Sequence, residues 1–156
     1  MDMPQPIRAL VFDAYGTLFN VHSVMTTCEA LFPGKGRELS QLWRAKQLEY
    51  TWIYAAMGSD ASRPAPPFAE LTRCSLEFAL AASGCNPHLA PRLLDSARRL
   101  APFAEVRENL SALRAGGARL AILSNADPET LEGLVEHAGL SGQFERLLSE
   151  IGRAHV

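Results

Sequence analysis

No stretch of these 156 residues approaches the roughly 20 consecutive apolar positions that a bilayer-spanning helix needs. The opening MDMPQP carries an acid and two prolines where a secretory leader would have basic residues and then a long apolar core. We therefore expect a cytoplasmic protein with no membrane partner. Basic stripes are missing as well. The net charge of -2 comes from interspersed charges, which leaves nothing to track a phosphate backbone and argues against nucleic acid as a partner. Cysteine is scarce: Cys28, Cys74 and Cys85 form an odd set without CxxC or metal-ligand spacing, so they read as reduced thiols used as small apolar residues. His22, His88 and His137 have no cysteine or carboxylate at ligand spacing, and no role is assigned to them. What is present, 47% hydrophobic and 21% charged residues, suits one ordinary globular domain.

Along the chain, IRALVF (Ile7 to Phe12) is a short apolar run ending at Asp13, which predicts a strand buried on both faces of a parallel sheet. From about Val24 to Leu100 the spacing turns helical. LSQLWRAKQLEYTWIYAAM is one long amphipathic helix, LTRCSLEFALAASG is a second that stops at Gly84, and HLAPRLLDSARRL is a third. GSDASRPAPP between the first two is a loop, read as a tolerated surface insertion rather than a lid. After Pro102 a strand-helix alternation returns. VRENLSALRAGG predicts a helix, ARLAILSN a strand, and ADPETLEGLVEHAGL a helix capped by Asp127 with Pro128 at its first position. FERLLS begins the approach to a further strand. A strand, an all-helical insertion and a βα series together predict an α/β fold with a Rossmann-like parallel sheet and a helical cap.

In open parallel sheets ligands bind outside the carboxyl ends of the strands. Asp13 and the pair Ser124-Asn125 both fall at such ends, so two strand ends separated by over a hundred residues supply one site. A lone aspartate after a strand is ordinarily a turn former. Here Gly16 permits a tight turn, Thr17 offers a hydroxyl, and the amides after Asp13 are able to face an anion.

DAYGTLF, then LWRAKQLEYTW in the helical insertion, then AILSN, resembles the haloacid dehalogenase superfamily and within it the L-2-haloacid dehalogenases, from about Ile7 to Ser149. The resemblance implies that Asp13 attacks the α-carbon of a short 2-haloacid, forming an ester that water hydrolyses to the inverted D-2-hydroxyacid. Arg44 accepts the halide with help from Asn125. The amides of Ala14 and Tyr15 and the hydroxyl of Ser124 hold the substrate carboxylate, while Thr17 orients Asp13. Tyr15, Leu48, Trp52 and Phe68 either wall the alkyl group or simply pack the cap on the core. No metal and no cofactor are implied, and a homodimer is compatible with the family. Chemistry gives independent support. Phosphatases of the superfamily place a second aspartate two residues after the first to protonate the leaving alcohol, and Tyr15 stands at that position. A halide needs no proton, so one carboxylate suffices.

The lysine and the later Ser-Asn strand and aspartate of the family have no counterpart here. The last residues, Glu150 to Val156, lack the apolar content of a core strand, and one back-translation reads like a sequencing adapter. The expected organisation is a Rossmann-like core of 1-18 and 101-149 with later strands missing, a cap of 19-100, and an artefactual tail of 150-156. Such a chain would be incomplete, poorly stable and weakly active. The competing functions are a magnesium-dependent phosphatase or phosphonatase of the same superfamily, and a non-catalytic fragment.

Overall fold

A computed structural model describes residues 7-58 and 66-149; the 150-156 tail and most of the GSDASRPAPP segment lie outside the described residues. Three parallel strands, β1 (Ala9–Phe12), β2 (Arg119–Ser124) and β3 (Arg146–Ser149), form one sheet in that order. Phe12 pairs with Ile122 and Ser124 with Ser149, so the carboxyl ends of all three strands open on one side. Between β1 and β2 the described chain is helical: α1 (Val24–Leu31), α2 (Gly36–Met57), α3 (Phe68–Ala82), α4 (Ala90–Ala97) and α5 (Val106–Ala115). Finally α6 (Pro128–His137) connects β2 to β3. This is the α/β arrangement expected, with FERLLS supplying β3 itself rather than an approach to it.

The termini follow local chemistry. Asp127 takes an extended conformation and its carboxylate accepts the Thr130 N–H at 2.9 Å, with Pro128 at the first helical turn, as the sequence predicts. At the other end of α6, Arg107 of α5 donates to the carbonyls of Ala138 and Gly139 at 2.7 and 2.8 Å, satisfying acceptors that a helix terminus leaves open.

One expectation changes. Strand β1 is not covered on both faces: Val11 is 59% exposed and Ile7, just before it, 77%, while Leu10 and Phe12 pack on the core. The strand is at the edge of the described sheet, where only one of its faces has helices over it. The apolar run alone could not reveal which face that would be.

The core is continuous from sheet to helices. Leu120, Ile122, Leu131, Leu134 and Leu140 fill the sheet side, and Leu39, Leu76, Leu80 and Leu93 the helical side, with Phe19 among them. Helices α1 and α2 meet closely at Gly36. A Cβ built there would overlap the backbone of Cys28 and Glu29. Gly36→Ala is accordingly expected to force the two helices apart and to cost about 2 kcal/mol, within the range for overpacking, as a lowered urea midpoint.

Cys28 lies at this same junction and is fully buried. Burial, with a smaller contribution from Cys85, pushes its thiol from an ordinary 9.0 up to about 11. The folded chain keeps that proton at pH values where the unfolded chain has released it. Stability from this group is therefore complete below pH 9 and is lost as the pH rises towards 11. Urea denaturation across this window should show a steeper alkaline decline for the wild type than for Cys28→Ala.

Candidate active site

The loop leaving β1 is built around two residues with no solvent exposure, Ala14 and Phe19. The Ala14 carbonyl accepts the N–H groups of both Leu18 (3.0 Å) and Phe19 (2.9 Å), and Gly16 N–H donates to the Phe19 carbonyl at 2.9 Å. Gly16 has φ of 90°, a conformation that side-chain-bearing residues rarely adopt, so the tight turn depends on glycine there. The result leaves Asp13 and Thr17 exposed while their neighbours Ala14 and Leu18 are buried. No hydrogen bond joins Thr17 to Asp13 among the described residues.

At the adjoining strand end Ser124 is buried and its hydroxyl accepts the Ala126 N–H at 3.2 Å, whereas Asn125 is exposed. Ser149, at the end of β3, donates to the Ala126 carbonyl at 2.7 Å and fixes the course of the chain past Asn125. The parallel register places these ends side by side with that of β1.

A cavity of about 510 Å³ opens between α2, α3 and the β1 loop; of the strand-end residues Tyr15 lines it, whereas Asp13, Ala14, Thr17, Ser124 and Asn125 do not. Tyr15, Arg44, Leu48 and Phe68 line it, together with Trp43 and Thr72. The rings of Tyr15 and Phe68 pack at 5.2 Å between centroids and 41° between planes. Trp52 does not take part: it is 67% exposed and absent from the lining, so it neither walls a ligand nor packs the helices. Trp43, nine residues earlier on the same helix, is the buried indole, and its Nε1–H donates to the Thr72 carbonyl at 3.0 Å.

The electrostatics couple these parts. Arg44 is half-buried, and loss of hydration draws its pKa below the usual arginine value; Tyr15 and Asp13 oppose that shift. Tyr15 is pushed far above the ordinary phenol value, chiefly by burial and then by the carboxylate of Asp127, with Arg44 acting in the opposite direction. Its phenol therefore holds its proton throughout the neutral range and is a weaker acid than free tyrosine. The site combines one exposed carboxylate, a partly desolvated cation within its field, and an apolar cavity wide enough for a small organic molecule. Among the described residues no cluster of three or more His, Cys, Asp or Glu side chains is arranged to hold a metal ion, and no helix is long and apolar enough to cross a membrane.

Sequence reading missed Gln47 and Thr72. Gln47 could have been noticed, since it follows Arg44 by three positions and so shares its helix face, but Thr72 comes from another helix and carries no local signal.

A sheet of this topology, with an aspartate at the end of its first strand and a helical insertion after it, defines a hydrolase class, and the family model for haloacid dehalogenase-like hydrolases matches residues 7-155. The chain belongs to that family. Among its relatives are the (S)-2-haloacid dehalogenase of Pseudomonas sp. (strain YL), 45% identical over 92% of this chain and 60% of that protein, and the haloacetate dehalogenase H-2 of Moraxella sp. (strain B), 46% identical over 92% and 62%. A crystal structure of an L-2-haloacid dehalogenase superposes with a TM-score of 0.86 at 43% identity, covering 93% of this chain and 64% of that one. The L-2-haloacid dehalogenase from Xanthobacter autotrophicus with chloropropionic acid covalently bound gives 0.81 at 37% identity, covering 92% and 57%. The chain thus spans about three fifths of the length of these relatives.

Proposed function

We propose that this chain carries the nucleophile and the halide-accepting cation of an enzyme that hydrolyses short L-2-haloacids to D-2-hydroxyacids. The observation that carries the reading is a half-buried Arg44 within the electrostatic field of Asp13, beside a tyrosine whose raised pKa keeps it from supplying a proton. Asp13 attacks the α-carbon from the face opposite the halogen, the carbon-halogen bond breaks, and the electron pair leaves with the halide. The halide departs as an anion, so no acid is required at position 15. A half-buried guanidinium meets the developing negative charge, and a permanent cation in a water-poor cavity stabilises it more strongly than water would. The Ala14 and Tyr15 amides, Ser124 and Asn125 hold the substrate carboxylate and halide, and Leu48, Phe68 and the Tyr15 ring enclose the alkyl group. Covalent capture of chloropropionic acid by the Xanthobacter protein supports an ester on Asp13 here. In this reading 19-100 is a cap over a core formed by 1-18 and 101-149. Exposed apolar residues on α2 and α3, Trp52, Ile53, Tyr54 and Phe78, support a homodimer through that cap.

Chloride release from L-2-chloropropionate in excess EDTA is the expected result for the full-length gene product. Phosphate release from a phosphomonoester that depends on added magnesium, with no chloride from any haloacid, would instead identify a phosphatase.

A further inference from the structure

Arg44 donates through Nη1 to the side-chain oxygen of Gln47 at 2.7 Å. Gln47 in turn donates through Nε2 to the Thr72 hydroxyl at 2.7 Å, and that hydroxyl donates to the Phe68 carbonyl at 2.8 Å. The polarity of this chain is fixed at both ends. A guanidinium has only donors, so it must face the carbonyl end of the Gln47 amide, which turns the NH₂ group towards Thr72. The Thr72 proton is committed to the Phe68 carbonyl, an acceptor inside α3, and leaves a lone pair for Gln47. Every donor meets an acceptor in one direction only. Thr72 is itself held firmly: it is buried, and its carbonyl accepts both the Trp43 indole N–H and the Ser75 hydroxyl, each at 3.0 Å.

We propose that Gln47, anchored on Thr72, is a positioning residue that holds the Arg44 guanidinium at the cavity wall in the orientation that receives the leaving halide. The inference rests on the dehalogenase reading and deepens it. Its physical basis is the choice of a neutral partner. A carboxylate at position 47 would bind the guanidinium more tightly, yet it would neutralise the charge an anion needs and present an acceptor to Thr72, whose proton is already engaged. Glutamine fixes the fork while leaving its full positive charge. Only Nη1 is used among the described residues, so the other N–H groups remain for the cavity. Arginine carries several rotatable bonds, and a cation aligned before reaction spares the cost of ordering it as the halide leaves.

The test uses the full-length gene product and two independent readouts. The first is rotation of the Arg44 guanidinium, followed by nitrogen NMR in wild type, Gln47→Met, Thr72→Val and Thr72→Ser. Slow rotation is expected in wild type and Thr72→Ser, and fast rotation in Gln47→Met, with Thr72→Val between them. The second is chloride release. Gln47→Met should lower kcat about tenfold with KM little changed, and bromide should inhibit it about tenfold less strongly. Gln47→Glu should fall further, and its rate relative to wild type should recover as the pH is lowered and the introduced carboxyl takes up a proton, a signature that mere loss of packing would not produce. Free rotation of Arg44 in the wild type would overturn the inference whatever the activity, as would variants whose kcat and bromide inhibition match a working wild type. A guanidinium held in the wild type and released in Gln47→Met, in a protein that frees no halide, would leave the relay standing and remove the dehalogenase reading.

Discussion

Asp13→Asn should reduce halide release by at least about 10⁴-fold while moving the thermal midpoint by no more than a degree or two. Asparagine has nearly the same shape, so the cavity and the β1 loop are undisturbed, and Asp13 is exposed at the strand end, where substitutions change stability little. What disappears is the negative charge that attacks carbon: a carboxamide oxygen is neutral and a far weaker nucleophile. Isotope placement makes the test sharper than loss of rate alone. In a single turnover with enzyme in excess and heavy-oxygen water, the hydroxyl of the first product should carry light oxygen drawn from Asp13. Later turnovers should carry heavy oxygen, because hydrolysis of the ester reloads the carboxylate from solvent. Heavy oxygen in the first product would mean that water attacks the substrate directly, and the assignment of Asp13 as nucleophile would fall.

The largest effect on stability is expected at Phe19. Phe19→Ala removes a ring with no exposed surface from the point where the sheet and the helices share a core, and buried phenylalanine-to-alanine changes cost about 3 to 5 kcal/mol. The ring is placed by backbone bonds that surround it. Its own N–H and carbonyl close the turn on Ala14 and Gly16, Leu18 accepts the Phe103 N–H at 3.1 Å, and Phe19 pairs with Pro102 in an antiparallel bridge. A domain is ordinarily stable by only about 5 to 15 kcal/mol, so this single truncation would consume a large share of the total. Urea unfolding should show the loss as a lower midpoint with an unchanged slope. A shift worth less than about 1 kcal/mol would show that the surrounding side chains collapse into the space and that the ring is not central to the core.

The features legible in the sequence are those whose cause is local. Gly84 ends α3 because its φ of 57° suits glycine, and Asp127 with Pro128 starts α6 through a hydrogen bond three residues long in sequence. Asp13 could be placed from the run that precedes it. What depends on distant chain was less visible. Trp43 and Trp52 look alike in sequence, but nine residues at 100° each put them on opposite sides of α2, so one is 4% exposed and the other 67%. Val11 is apolar like its neighbours and still faces outward, because coverage of a strand is decided by whichever element lies over it. Gln47 acquires its role only when α3 brings Thr72 against α2, 25 residues away in sequence.

The helical segment leaves the sheet after Phe19 and returns before Phe103, and the two passages are fastened to each other, Asn20 N–H to the Ala101 carbonyl at 2.8 Å. Helices α2 and α3 are stitched together by the Trp43 and Gln47 bonds, so Arg44 and Phe68 belong to one piece that is joined to the sheet through this doubled seam. A change of length in either passage is therefore felt by both side chains together.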